Sequence, residues 1–573
     1  MKKNFILLNL LFIVSIVTAQ PLQVTPGKIK QVDSLYNTMF KPTDAGIVVI
    51  LAQNGKPLFK KAYGMANIEL SVPLNTDHKF GIGSISKQFA SVALLLLQQE
   101  GKLHIDDDIR KFLPSYNTWG RSISIRNILS HTSGIPSYTE IYYFDTLAGK
   151  KISIDKLIKF FESRPLIFEP GTNWSYSNSG YVLAAKIVEK ISGMPFNDFL
   201  QKRIFQPLLM TETSFGSSEY APKGKTAEYV AGAKGPIKVE ASYDWYWAYG
   251  AGQIISTADD MLKWNEALND PNFLKSDLLK LAHESFILKD GTDAHYGLGW
   301  SVDQIAGKKV IQHGGAIGGY RSQGLRIPDD GLYLLVLSNS GNTNTSLVMN
   351  RSLSILYDKS PLKEQKNDIQ SWKEIEGIYE SLNAGSRLQA NFGSQPAFYT
   401  IRVDSLNKVT FQRTGGGKNP LTPGGKDLLF DKNAPFTAWK VERDEKGAVQ
   451  SLRLEQIFPA SGPARSNKRI STVIPTAPQE VKADSLFFAQ FNGTYEHEYG
   501  DRAKITAVKD GLIVAPEEGG PRSRIVYIGN DSFWFKDLNT IYYFETNKKT
   551  KQLTMRYFNG SYEILMQRVV DLY

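Results

Sequence analysis

The 573-residue chain contains no cysteine. That excludes disulfides, thiolate zinc sites, a thiol nucleophile and a lipid-modified N-terminal cysteine. Charge of one sign is never concentrated either. Lys and Arg number 67 against 57 Asp and Glu, a formal balance of +10, but the bases are spread along the chain. With no Lys/Arg block, the surface reads as solvated rather than as a nucleic-acid face. The apolar run at residues 5–17 is short for a membrane span. Two lysines precede it, and Val-Thr-Ala closes it before Gln20, the layout of a secretory signal cleaved after Ala19. An exported protein, periplasmic or extracellular, with no stable membrane span after cleavage is therefore expected; an uncleaved anchor is the alternative.

At this length two to four domains are expected, and 42% hydrophobic with 22% charged residues is a globular composition. From about 28 to 358 strand and helix patterns mix. The stretch 45–64 holds two β-rich runs around Asn54-Gly55, a hairpin signal. Helical patterns follow at 86–100, 154–163, 180–193 and 258–268. Strands return near 308–312, 320–327 and 332–338, and a last helix fits 344–357. "SPLKEQKNDIQ" then breaks the pattern as a linker. Beyond it short alternating runs suggest two small all-β, barrel-like domains, 370–457 and 485–573, joined by a Pro/Ser-rich linker at 458–484. "EIEGIYES" (374–381) and "QFNGTYEH" (490–497) open the two as a weak internal repeat. Neither carries a catalytic cluster, so packing or restriction of substrate is their expected role.

"KFGIGSISKQFASVALLLL" (79–97) places Ser84 and Lys87 three residues apart at the head of an apolar helix. That spacing shares one helix face. Serine needs an adjacent base, and a lysine whose pKa burial or a helix N-terminus lowers can be one. The Ser84 N–H is an oxyanion donor in the same place. Alone, Ser-x-x-Lys is a weak signal, since an N-cap serine before a surface lysine has the same pattern. Two further stretches strengthen it. "NWSYSNSGYVLAAKIVEKISG" (173–193) carries Tyr-Ser-Asn at 176–178 before a helix, and "VIQHGGAIGGYRS" (310–322) carries His-Gly-Gly at a strand end.

This order of motifs resembles the penicillin-recognising serine hydrolases, and within them the class C β-lactamase branch, whose middle motif begins with Tyr. "LSHTSGIPSY" (129–138), "AGQIISTADDMLKW" (251–264) and "YGLGW" (296–300) are similar to that branch as well, so the resemblance spans about residues 30–357. It implies a mixed α/β fold, a β-lactamase/transpeptidase-like domain with an antiparallel sheet and flanking helices, ahead of the two β domains. It also implies roles. Ser84 is the nucleophile, with Lys87 and Tyr176 as proton carriers whose division of labour stays open. Asn178 bonds the substrate amide or Lys87, His313 and Gly315 are grouped with it as substrate-binding, and the Ala316 N–H that follows them on an edge strand completes the oxyanion hole. Such a mechanism needs no metal or cofactor. His313 departs from the lysine usual in penicillin-targeted members, since histidine is only partly charged near neutral pH. That favours relatives acting on esters or amides of small molecules or short peptides, among them D-aminopeptidases, which carry two C-terminal β-barrels. A β-lactamase or DD-carboxypeptidase is the alternative, and a non-catalytic wall-fragment binding protein a third. Oligomeric state is not readable.

Other polar groups read as structural. His131 is expected to stabilise a core or turn, and His78 and His104 to lie on the surface. Asp106, Asp107 and Asp108 are expected to cap and solvate a helix boundary rather than hold a metal. "TGGGKNPLTPGGK" (414–426) lacks the Gly-Lys-Ser/Thr ending of a phosphate loop and reads as a turn. "YDWYWAYG" (243–250) fits either an aromatic substrate wall or a packed core.

Overall fold

A computed structural model describes residues 22–140, 151–217, 221–232, 235–239, 244–365, 372–380, 398–413, 418–456, 466–474, 479–497, 502–516, 522–535, 540–546, 552–558 and 563–569. The signal-like residues 1–19 lie outside them. No helix among the described residues is long and apolar enough to cross a membrane.

The first domain is built on a six-stranded antiparallel sheet. Its strands are β1 (Ile47–Gln53), β2 (Lys56–Tyr63), β3 (Ser301–Ile305), β4 (Lys308–Ile317), β5 (Tyr320–Ile327) and β6 (Leu332–Ser338), in the order β3-β4-β5-β6-β1-β2. The β1–β2 hairpin turns at Asn54 and Gly55, both left-handed (φ 50° and 74°), as an Asn-Gly turn requires. Alternation sorts each strand's side chains to two faces. Ile47, Val49 and Leu51 pack with Leu334 and Val336 beneath α1 (Pro26–Met39) and the last helix of the domain, Thr345–Leu356. Val48 and Ile50 join Leu335 and Leu337 in the larger cluster on the other face. That cluster surrounds α2 (Ser86–Gln99), whose residues from Ser86 to Leu97 are all buried. A helix apolar on every side belongs inside a protein, and this one carries the opening motif into the core.

The elements expected near 154–163, 180–193 and 344–357 form as Ile154–Glu162, Asn178–Ser192 and Thr345–Leu356. The late strand is longer than its apolar run suggests. β4 continues through His313-Gly314-Gly315-Ala316 to Ile317, so His313 sits inside the strand rather than at its end. Pairing with β5 carries it there, from Ile311↔Arg326 to Ile317↔Tyr320. The partner on the other side stops at Ser301↔Gln312. Beyond Gln312, β4 therefore has no β3 partner.

Two closed, eight-stranded antiparallel barrels follow. The repeat is real at the level of bonds. Tyr379 Oη donates to Ile375 O at 2.7 Å and Tyr495 Oη to Phe491 O at 2.9 Å, each tying a first strand to the residue four positions back. Ser466–Ser471, within the stretch read as linker, is the eighth strand of the first barrel and pairs with its first and seventh strands. The glycine-rich 414–426 also differs from the expected turn. Lys418–Gly425 is a strand, bulged between Pro423 and Gly425, and 414–417 lie outside the described residues. Phe436 of the first barrel is buried in the cluster beneath α1 and Thr345–Leu356, which joins this barrel to the hydrolase-like domain through a shared apolar contact.

Candidate active site

Ser84 lies in a single 3-10 turn, Gly83–Ile85, that runs directly into α2. The turn is pressed against β4 at two points where no side chain fits. Gly83 is left-handed (φ 51°), and a Cβ there would come within 2.6 Å of Ala316 N. A Cβ on Gly315 would come within 2.0 Å of Ile82 O. Both glycines thus let the strand and the serine turn approach backbone to backbone. The Ala316 nitrogen stands beside the Ser84 turn, as an oxyanion site with a second donor at Ser84 requires.

Lys87 follows one turn later and is fully buried. Its Nζ lies 3.0 Å from Ser84 Oγ, 2.7 Å from Asn178 Oδ1 and 2.8 Å from Ala251 O. Burial drives its pKa well below the ordinary lysine value. The Ala251 carbonyl and, in this orientation, Asn178 Oδ1 are acceptors. A neutral amine gives its two hydrogens to them and turns its lone pair to the Ser84 hydroxyl; an ammonium donates to all three. The arrangement can take the serine proton.

Tyr176 is hydrogen-bonded to Ser84, and its ring centre lies 4.9 Å from Lys87 Nζ. Burial raises its pKa above that of a free phenol. At neutral pH the group is therefore a phenol. Asn178 opens the helix Asn178–Ser192, with Ser177 as N-cap, its side chain accepting from Gly180 N at 3.3 Å. Asn178 Nδ2 donates to Thr139 Oγ1 at 3.0 Å. Its amide group is thereby fixed between Lys87 and Thr139.

His131 holds this segment from beneath. Its Nδ1 accepts from Ser177 N at 3.1 Å, its carbonyl accepts from Ser175 N at 2.9 Å, and its ring lies 4.2 Å from that of Tyr176. It is structural, as its motif suggests, yet it positions the Tyr-Ser-Asn run. Asp106, Asp107 and Asp108 pair with Arg126, Lys111 and Arg110 on the surface, and Asp108 caps the turn Ile109–Lys111.

The cleft over Ser84 has a volume of about 320 Å³ and is lined by Tyr138, Thr139, Asn178, Ala251, Ala316 and Arg321, among others. His313 and Gly315, grouped with substrate contacts in the sequence reading, do not line it. Gly315 packs on Ile82. His313 is buried, with Nε2 2.7 Å from Tyr296 Oη and Nδ1 2.6 Å from Gly314 O. Burial first, then the Lys87 charge, pushes its pKa down to about 3. It is therefore neutral near pH 7. In "YDWYWAYG" Tyr243 lies outside the described residues; among the others Trp245, Trp247 and Tyr249 are core and only Ala248 reaches the cleft. The Ala251 carbonyl, Thr139, Tyr296 and Arg321 are the members that sequence reasoning missed; Ala251, Tyr296 and Arg321 lay in stretches with a motif, and Thr139 directly follows one.

His131 and His283, like His313, are held below the usual histidine pKa by burial. Each is neutral in the fold and protonates in the unfolded chain near the ordinary value of 6.5. Between that value and its lowered one, the unfolded state binds more protons. The histidine contribution to stability should thus be flat above about pH 6.5 and fall below it, by up to about 1.4 kcal/mol per pH unit per histidine. His283, which packs on Trp300 away from the cleft, isolates the effect. Thermal unfolding of His283→Phe from pH 8 to 5 should show a shallower acid slope than wild type, and an identical slope would refute the assignment.

The beta-lactamase family pattern matches residues 37–358. Penicillin-binding protein 4* of Bacillus subtilis is 29% identical over 329 residues, 55% of this chain and 72% of that protein. Protein flp of Staphylococcus aureus strain COL is 26% identical over 325 residues, 55% of this chain and 64% of that protein. Among solved structures, the octameric penicillin-binding protein homologue from Pyrococcus abyssi covers 78% of this chain and 99% of its own, with 23% identity and TM-score 0.54. A D-stereospecific amidohydrolase from Streptomyces sp. covers 57% and 98%, with 25% identity and TM-score 0.50. With the Ser84 turn, the buried Lys87 and the Tyr-Ser-Asn run assembled beside this sheet, and the family pattern covering more than half of its length, the chain belongs to the beta-lactamase family.

Proposed function

We propose that the protein is an exported serine hydrolase that cleaves esters or amides of small molecules or short peptides through an acyl-enzyme on Ser84. One observation carries the reading: Lys87 Nζ, held by Asn178 Oδ1 and Ala251 O, lies 3.0 Å from Ser84 Oγ. Lys87 takes the Ser84 proton as Oγ attacks the acyl carbon. The Ser84 and Ala316 N–H groups hold the oxyanion. Tyr176, neutral and bonded to Ser84, passes a proton to the leaving group as the tetrahedral intermediate collapses. Water then attacks the acyl-enzyme with the same groups working in reverse. The Lys2-Lys3 pair followed by an apolar run supports export.

D-aminoacyl amides are the peptide-type substrates to test first, since the Streptomyces D-stereospecific amidohydrolase is similar to this chain. Purified protein is assayed with 4-nitrophenyl esters, matched D- and L-phenylalanine amides and a penicillin, each against Ser84→Ala. The expected result is Ser84-dependent turnover of esters and of the D-amide over its L-enantiomer. Ester and amide hydrolysis that proceeds equally in Ser84→Ala would overturn the reading. The β-lactamase or DD-carboxypeptidase reading draws on the penicillin-binding protein relatives, and Ser84-dependent penicillin turnover or a lasting adduct would favour it. The neutral, buried His313 counts against it. The wall-fragment binding reading has no support beyond the size of the C-terminal half.

A further inference from the structure

Of the described residues that line the Ser84 cleft, Arg321 alone carries a formal charge. It stands on β5 directly opposite Ala316 on β4. Directly opposed residues share a face of the sheet with Cβ atoms about 5 Å apart, so the guanidinium belongs to the wall that holds the oxyanion donor. One nitrogen, Nη1, donates to Gly318 O at 3.1 Å and Tyr320 O at 2.7 Å, folding the side chain over the 318–319 turn. No carboxylate among the described residues pairs with it. Glu228, which accepts from Gly319 N at 3.1 Å at the same turn, is committed to Lys225 at 2.9 Å. Burial alone shifts the Arg321 pKa, downward, and the group stays a cation.

A half-buried cation without an acid partner is costly unless a ligand supplies the charge. The neighbouring groups do not compete for that role. His313 is neutral and does not line the cleft, and the Lys87 amine is engaged by Ser84, Asn178 and Ala251. Arginine's planar fork suits a carboxylate with two parallel bonds.

We propose that Arg321 is an anion-binding subsite of this cleft, and that preferred substrates carry a carboxylate beside the scissile ester or amide. The inference rests on the reading of Ser84 as nucleophile and narrows its substrate class. The carboxylate can belong to the acyl half or to the leaving group, and two matched pairs separate these. The 4-nitrophenyl hemiester of glutaric acid against 4-nitrophenyl valerate charges the acyl half. The acetyl ester of 3-hydroxybenzoate against that of 3-hydroxybenzamide charges the leaving group. Wild type should favour the charged member of one pair by about ten- to a hundredfold in kcat/KM, the range of a charge-assisted bond. Arg321→Met should bring that ratio close to one, and Arg321→Lys should restore part of it. A ratio near one in both pairs for wild type, or a ratio kept by Arg321→Met, would overturn the proposal. Glutarate and glutaramide titrated calorimetrically into Ser84→Ala read the same subsite without turnover. Tighter binding of glutarate, lost in Ser84→Ala/Arg321→Met, upholds an acyl-side subsite even where the nucleophile reading has failed. The acetyl pair's leaving groups, 3-hydroxybenzoate and 3-hydroxybenzamide, serve the leaving side in the same way. Equal binding within both pairs overturns the subsite alone.

Discussion

Ser84→Ala is expected to lower kcat on activated esters by roughly five to six orders of magnitude, the scale seen when a catalytic serine is removed. The Ser84 hydroxyl lines the cleft and meets both Lys87 and Tyr176. Nearby hydroxyls are otherwise engaged. Ser86 Oγ accepts from Ile254 N at 3.2 Å, and Ser137 Oγ from Asn178 N at 3.1 Å. Neither replaces Ser84 as a nucleophile beside the lysine. The residual rate should come from the oxyanion donors and from binding alone. Ser84 is only partly buried and its loss removes no packing, so the thermal midpoint should stay close to wild type. A stopped-flow assay of both proteins checks this, and turnover within tenfold of wild type would exclude Ser84.

Lys87→Met should lower kcat by about a thousandfold, within the range for loss of a positioned general base. The shape of the pH profile separates this role from a packing role. Burial holds the Lys87 pKa well below its ordinary value, and the proposed reaction uses the neutral amine. The wild-type rate should therefore climb with pH through that lowered pKa and level off above it. Lys87→Met should lose this limb. Its stability has two opposing parts. Removal of the amine leaves Asn178 Oδ1 and Ala251 O unpaired, at about 1–3 kcal/mol per stranded group. Removal of the burial cost of a lysine offsets that. A Lys87→Met enzyme with the same acid limb, however slow, would show that another group is the base.

The parts of the fold that were legible in sequence are those specified by local side chains. The three-residue offset of Ser84 and Lys87 survives the change from 3-10 turn to helix because both put those positions on one side. Asn54-Gly55 marks its hairpin because both residues must be left-handed. What was not legible depends on distant pairing or on backbone atoms. β4 extends through two glycines that weaken a strand signal, and only its register with β5 reveals it. Ser466–Ser471 is mostly polar, with Asn467 its one fully buried residue. It is a strand because it closes a barrel against Gly377–Glu380, about ninety positions earlier. Ala251 meets Lys87 through its backbone carbonyl, and a backbone atom has no side-chain signature in sequence. His313 shows how burial overrides a side chain's ordinary chemistry, since a partly charged histidine in sequence is a neutral partner of Tyr296 in the fold. Arg321 was visible as a letter but gained its meaning only from the residue opposite it.

The central claim is that Ser84 is the nucleophile of a working acyl-transfer site. It is tested most directly by treating the protein with an activated phosphonate ester, which leaves a stable adduct on an attacking serine, and reading the intact and peptide masses. The account predicts one adduct per chain, carried by the peptide containing Ser84, absent in Ser84→Ala and strongly slowed in Lys87→Met. Labelling at another residue, or the same labelling in Ser84→Ala, would contradict it.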